Sequence, residues 1–428
     1  MKTQRTGGAA ARSPGRWPAL APLRLPRFRR LAFAYTVNEL GNWLGDVALA
    51  VLVYDHTGSA LATAALFLGS KFIPGAVGPA LTTRLERYDG RVTLPALYAL
   101  EGALFAALAA SASHLPLGGF IALAALDGSA AVTAKALSRT ATAGVLTPHG
   151  QLAQGNALLN VGFTAGSALG PAIAGGLVAT AGAATALAVD AASFGAAALA
   201  LLGAGALPVT REEDEPEPWT ARLREGLRYA WRSPPLRALL AGQAAALVFF
   251  TAVVPIEVVF AKGTLHAGSA GYGALLASWG GGMIVGALVF ARAHAKSIVA
   301  TLGLSTIAIG AGYLGVAVSP TLAVACVASA VGGAGNGVQW VALLTAVQEA
   351  TPVSMLARTM ALLESVGTVM PGVGFVLGGV VAAVVSARAA YAIAGAGVLL
   401  IAVLAAPAAR RLGAERQLPR ARPEPDLD

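Results

Sequence analysis

The stretch LAFAYTVNELGNWLGDVALAVLVY, Leu31–Tyr54, runs for 24 residues with two charged side chains, Glu39 and Asp46. A bilayer core about 30 Å thick is crossed by about 20 helical residues, so this stretch reads as one membrane span. Working outward from it, similar apolar runs follow at 60–83, 92–112, 117–137, 156–180, 183–206, 237–261, 269–291, 298–318, 321–348, 359–385 and 388–407. The expected fold is an all-α membrane protein with twelve transmembrane helices in two groups of six.

Composition agrees. Hydrophobic residues make up 56% of the 428 and charged residues 12%, with a mean hydropathy of +0.68, against about 25% charge in a soluble domain. A net charge of +9 would suggest acidic or nucleic-acid partners in a soluble chain; here the positions of the charges carry the information instead. The single cysteine, Cys326, lies in an apolar run, which excludes a disulfide framework or a cysteine metal site. No Walker-type phosphate loop is present, and His56, His114, His149, His266 and His294 are scattered over different connections. The reading is a non-enzyme without cofactor or metal.

Lysine and arginine set the orientation. With the N-terminus inside, 27 of the 30 fall on the cytoplasmic side: in 1–30, Arg84–Arg91, Lys135 and Arg139, the central linker, Arg292 and Lys296, Arg358 and the tail. Lys262 and Arg388 fall outside and Lys71 within a span. The positive-inside rule then makes both termini cytoplasmic. The basic segment 1–30 has the character of a signal-peptide n-region, but the run behind it is too long for a cleaved h-region and is expected to stay as span 1. The chain divides into 1–30, a six-helix bundle 31–206, a linker 207–236, a second bundle 237–407 and a tail 408–428. In the linker, Leu223, Leu227 and Trp231 recur at helical spacing against Arg222, Arg224, Arg228 and Arg232, the pattern of an amphipathic helix on the membrane surface.

An internal repeat recurs at an offset of 204: Thr147, Pro148, Leu152, Ala153, Ala157, Leu158, Leu159, Thr164, Gly170 and Gly175 return as Thr351, Pro352, Leu356, Ala357, Ala361, Leu362, Leu363, Thr368, Gly374 and Gly379. Two parallel six-span repeats describe the major facilitator architecture. The loop Gly78–Arg91, GPALTTRLERYDGR, resembles that superfamily's signature between spans 2 and 3, G-x-x-x-D-R-x-x-R-R, with Thr82 where glycine is usual and Glu86 for aspartate. Val53–Ser59, VYDHTGS, looks like the end of span 1 in the drug/proton antiporter branch that includes macrolide and enterobactin exporters. Gly166, Gly170-Pro171 and Gly175 resemble the span-5 motif of that branch, G-x-x-x-G-P-x-x-[GA]-G; glycines four apart let a second backbone approach, and Pro171 removes a hydrogen bond. The resemblance implies that Glu86, Arg87, Arg91 and Arg139 form a conformational latch, in which the acid meets a helix N-terminus or an arginine.

Ionisable residues inside a bilayer cost roughly 2.5–3.5 kcal/mol each on insertion scales, so each asks for a partner or a wet cavity. Span 1 carries Glu39 and Asp46 seven residues apart on one face with Asn42 between them, and Lys71 reads as the cation to pair with one of them. Asp127, Glu257, Asn336, Gln339 and Glu364 complete the candidate proton-coupling and substrate cavity, expected between spans 1, 2, 4, 7, 10 and 11; Glu101 and Asp190 are further acids within spans. Burial favours the neutral acid and a nearby lysine the ionised one, so protonation can depend on which side a cavity faces. The expected function is proton-coupled export of an amphipathic or cationic small molecule, drug- or siderophore-like, by a monomer in the cell membrane. The alternatives are a uniporter or importer of a polar or anionic metabolite, and a membrane receptor on the same fold.

Overall fold

The computed structural model describes residues 18–85, 88–205, 207, 219–292 and 298–415. All regular structure there is helical. After a short 3-10 turn, Pro18–Arg24, come α1 (Pro26–Thr57), α2 (Ala60–Leu85), α3 (Gly90–Ala110), α4 (Leu117–Leu146), α5 (Leu152–Ala181) and α6 (Ala183–Leu202). Then follow α7 (Trp219–Arg232), α8 (Leu236–Thr264), α9 (Gly268–Arg292), α10 (Ile298–Val318), α11 (Leu322–Glu349), α12 (Val353–Val384) and α13 (Ala387–Glu415).

Among the described residues, eleven helices are long and apolar enough to cross a membrane. The remaining long helix, α1, has 32 residues, and its apolar character is diluted by Asn38, Glu39, Asn42 and Asp46 on one flank. In a bilayer the solvent is as apolar as the side chains, so helices associate through close packing and through polar contacts. Both devices are used. Gly166 and Gly170 of α5 lie against Glu39 and Trp43 of α1, where a Cβ on Gly170 would stand 2.7 Å from the Trp43 Cβ. Farther along α5, a Cβ on Gly175 would stand 2.6 Å from the Gly273 Cα of α9. The repeat partner of Gly175, Gly379 on α12, meets Ala64 of α2, with a Cβ–Cβ approach of 2.5 Å.

One buried apolar cluster is built mainly from α1–α6 and a second from α8–α13. In the second, Trp279 stacks on Tyr313 with ring centroids 5.2 Å apart, and Phe250, Tyr391 and Phe260 continue the chain of rings. Phe250 and Trp279 are thereby packed against this second cluster.

Two helix boundaries differ from the sequence reading in ways that bear on the site. The sequence reading ends span 4 at 137 and counts Lys135 and Arg139 on the cytoplasmic side; α4 continues to Leu146. Both basic residues are helical: Lys135 has its counter-ion inside the bundle, and Arg139 is exposed on the same helix. The linker helix is α7, and its apolar Leu227 and Trp231 are 52% and 70% exposed. Its other face is docked, with Glu225 Oε2 3.0 Å from Arg358 Nε at the start of α12 and Gly226 against the Arg358 carbonyl.

Candidate functional site

A cavity of about 420 Å³ opens among α1, α2, α3, α4, α5, α8, α9 and α12. α1 contributes Glu39, Asn42, Trp43 and Asp46, whose spacing of three and four puts them on one helical face. α4 contributes Ala124, Asp127, Gly128, Ala131, Val132 and Lys135 at the same spacing. Lys135 is thus the last member of an inward-facing stripe, and this periodicity is the signal by which the sequence could have revealed it.

α2 delivers Lys71 through an irregularity. Residues Leu68–Phe72 form a π turn, in which each carbonyl is bonded one residue farther along than in an α-helix. π bulges inside α-helices concentrate at functional sites. The widened turn pushes the Ser70 carbonyl toward Gly128 of α4, where any side chain would collide with it. Lys71 Nζ then reaches Asp46 Oδ2 at 2.7 Å. A second pair lies deeper: Lys135 Nζ is 2.7 Å from Glu39 Oε1 and sits 4.9 Å from the centre of the Phe163 ring. A lysine over an aromatic face gains a further electrostatic attraction.

Among the described residues, the remaining carboxylates of the cavity are in no ion pair. Asp127 Oδ1 is buried without a hydrogen-bond partner. Glu257, brought in by α8 from the opposite side, has no hydrogen-bond or ion-pair partner among the described residues. Phe67, Phe105, Phe163, Tyr272 and Phe375 supply aromatic walls together with Trp43.

Of the residues singled out in the sequence, the structure therefore gathers Glu39, Asn42, Asp46, Lys71, Asp127 and Glu257 around one cavity. Asn336, Gln339 and Glu364 do not line it, and neither does any residue of α11. The Gln339 amide is used within the last helices, donating to Thr306 Oγ1 at 2.9 Å, and Glu364 is exposed on α12. The sequence missed the contributions of α3, α5 and α9, which enter through aromatic and apolar side chains that carry no polarity signal. Of the four residues grouped as a latch, Glu86 and Arg87 lie outside the described residues, while Arg91 and Arg139 are exposed at the start of α3 and on α4.

At the end of α1 away from Pro26, Asp55 Oδ1 meets Lys262 Nζ of α8 at 2.5 Å, and the same ammonium lies 3.4 Å from Ser269 Oγ of α9. This end is also where Gly175 abuts Gly273 and Ala64 abuts Gly379. Helices from the first and last parts of the chain are thus held together on one side of the cavity.

The family described as transmembrane secretion effector matches residues 17–428, nearly the whole chain. The chain belongs to that family. Transmembrane secretion effectors are transporters of the major facilitator type, and solved structures of that fold resemble this one. A variant of the nucleoside transporter NupG superposes with a TM-score of 0.69 at 12% identity, covering 89% of this chain and 99% of its own. The peptide transporter POT in complex with sulfate gives 0.72 at 14% identity, with 91% and 95% covered. A bacterial homologue of the human lysosomal transporter Spinster, inward-facing and unoccupied, gives 0.67 at 12% identity, with 92% and 99% covered. No curated protein matches the chain in sequence. The chain is accordingly a multi-pass membrane transporter, and its family and structural neighbours are transporters, not enzymes.

Proposed function

We propose that this protein is a proton-coupled exporter of amphipathic, cationic small molecules, acting as a monomer in the cell membrane with both termini cytoplasmic. The observation that carries the reading is the charge balance of the cavity. Four carboxylic acids, Glu39, Asp46, Asp127 and Glu257, line it with two lysines, and the lysines are taken by Glu39 and Asp46. Asp127 and Glu257 are left to hold either protons or an organic cation, since an isolated ionised acid in that setting is costly. Mutual exclusion of the two cargoes at shared acids is the chemistry of exchange. The aromatic walls suit the apolar part of such a cation.

In this reading α1 is the first of twelve crossings and the chain forms two six-helix bundles that rock about the cavity. The contacts at Asp55–Lys262 close the outer side, Glu86 with Arg139 or the start of α12 serves as the inner latch, and the protein stands open to the cytoplasm. The family description, a secretion effector, supports the outward direction. A second reading, uptake or uniport of a polar or anionic metabolite, has one observation in its favour: the Lys71 side chain is 43% exposed, and neighbours of the fold carry nucleosides and peptides by name.

The test is transport in everted membrane vesicles with a lipophilic cationic dye supplied in the medium. An imposed proton gradient should drive dye accumulation, and a protonophore should collapse it. Dye movement indifferent to the gradient would reject proton coupling, and uptake of nucleosides or peptides in its place would favour the second reading.

A further inference from the structure

Behind α1, on the side away from the cavity, two acids are completely enclosed. Glu101 of α3 and Asp190 of α6 are each 0% exposed. Their helices touch at that level, because Gly102 approaches the Ala191 carbonyl closely enough to leave 3.1 Å for a Cβ. α1 is shaped to receive them. A side chain on Gly41 would collide with Asp190 Oδ1, and a Cβ on Gly45 would stand 2.9 Å from Oδ2.

Neither acid has a cation within ion-pair reach among the described residues. Asp190 accepts from Ser193 Oγ at 3.2 Å, and its Oδ2 has no partner; Glu101 accepts from Asn38 Nδ2 at 3.0 Å, and its Oε1 has none. The titratable side chains at this level of the surrounding helices are Tyr35, Glu39 and Asp46 of α1, Tyr98 of α3, and Asp127, Lys135 and Arg139 of α4; the remaining ones on α1 and α3 lie toward the helix ends. Tyr98 is hydrogen-bonded to Ser138 at 3.2 Å, Lys135 serves Glu39, and Arg139 is exposed. Two carboxyl groups enclosed in a low-dielectric setting without counter-charge bind protons in preference to ionising.

One thread joins this pocket to the cavity. Asn42, which lines the cavity, donates through Nδ2 to Asn38 Oδ1 at 3.0 Å, and Asn38 donates in turn to Glu101. A ligand that engages Asn42 competes for the donor that orients Asn38, and so alters the hydrogen bond that Glu101 receives. By reciprocity, the protonation of Glu101 acts back on the cavity.

We propose that Glu101 and Asp190 form a proton-binding site inside the first helix bundle, separate from the transport cavity, and that Asn38 and Asn42 couple its occupancy to the cavity. The proposal adds a second proton to the exchange described above, but its test needs no transport. Infrared spectra of the purified full-length protein in lipid, titrated in light and heavy water, resolve the carbonyl stretch of neutral carboxylic acids. In the wild type this band should be present at neutral pH, shift on deuteration and fade as pH rises. Glu101→Gln and Asp190→Asn should each remove part of it. Asn42→Ala, which touches neither acid, should shift the pH at which the Glu101 component fades. A band unchanged by both amide substitutions would overturn the proton site. A band lost in those variants but insensitive to Asn42→Ala would overturn the coupling. If the amide variants do not fold, Glu101→Asp and Asp190→Glu, which keep a carboxyl group, should shift the frequency or the titration of the band, and a band unmoved by both would overturn the site. Dye transport indifferent to a proton gradient would reject the exporter reading while leaving these spectra to judge the site.

Discussion

Lys135 Nζ stands 2.7 Å from Glu39 Oε1, and the carboxylate it meets is 4% exposed while the lysine side chain keeps 35% open to the cavity. The acid is buried by α5 and α1 together, and the lysine acts as its counter-ion and as a lid over it. Removing one partner of a fully buried pair costs about 3–5 kcal/mol, chiefly through the charge left behind; the open edge of Lys135 brings the cost here below that range. Lys135→Ala should lower the melting temperature of the purified protein, and adding Glu39→Gln should restore most of it. Equal melting temperatures for Lys135→Ala and the wild type would show that Glu39 does not depend on this cation.

Asp46 is the exposed counterpart, paired with Lys71 and 26% open. A carboxylate that exchanges protons during transport cannot be replaced by its amide. The lysine on Asp46 leaves the exchange to Asp127 and Glu257, so Asp127→Asn and Glu257→Gln are each expected to reduce gradient-driven dye accumulation at least about tenfold, the effect of 1.4 kcal/mol, while downhill dye exchange continues. Full gradient-driven accumulation in both variants would move the coupling acid of the cavity to Asp46 or Glu39.

The Asp55–Lys262 pair ties α1 to α8 at one end of the cavity, with the aspartate 49% exposed. An exposed pair contributes about 0–1 kcal/mol, enough to bias a two-state equilibrium by up to about fivefold. Asp55→Ala should shift a reporter of closure at that end, such as spin-label distances between α1 and α8, toward the open form. Exchanging the charges as Asp55→Lys with Lys262→Asp should return it. Identical distance distributions in all three proteins would mean the pair does not latch.

Gly175 and Gly273 face each other with no room for a Cβ. Gly273→Leu should leave the protein in the membrane but abolish most transport, because the backbones of α5 and α9 must separate to admit it. Normal dye transport by this variant would show that the two helices do not need that contact.

Orientation is testable independently. Reporter fusions within Arg84–Arg91 and 211–236 should report the cytoplasm, and one at Gly263 the outside. A periplasmic signal from 211–236 would reverse the assignment.

The helical architecture was legible because a bilayer admits few alternatives: long apolar runs must form helices, and the glycine spacing of α5 can be read directly. That Lys71 pairs with an acid of α1 was legible too, since α1 offered it two acids on one face; the choice of Asp46 over Glu39 was not. Lys135 was hidden by the rule that serves topology best, which assigns a basic residue near the end of an apolar run to the cytoplasmic side. Asn336, Gln339 and Glu364 were polar for other reasons. Polarity in a membrane helix says that a side chain needs company, and Gln339 found it in Thr306; it does not say which space the side chain faces. The π turn that delivers Lys71 has no local sequence signature, so the aim of that lysine could be known only from coordinates.

The seam where α5 meets α9 is made at its closest points of backbone, with Gly175 against Gly273 and Gly280 against the Ser167 carbonyl. Surfaces built from large interlocking side chains can change angle only by unlocking rotamers one after another. Here the touching atoms are backbone, so one surface can roll over the other with little to disengage. The seam behaves as a plain bearing, tight along its length and smooth enough to turn.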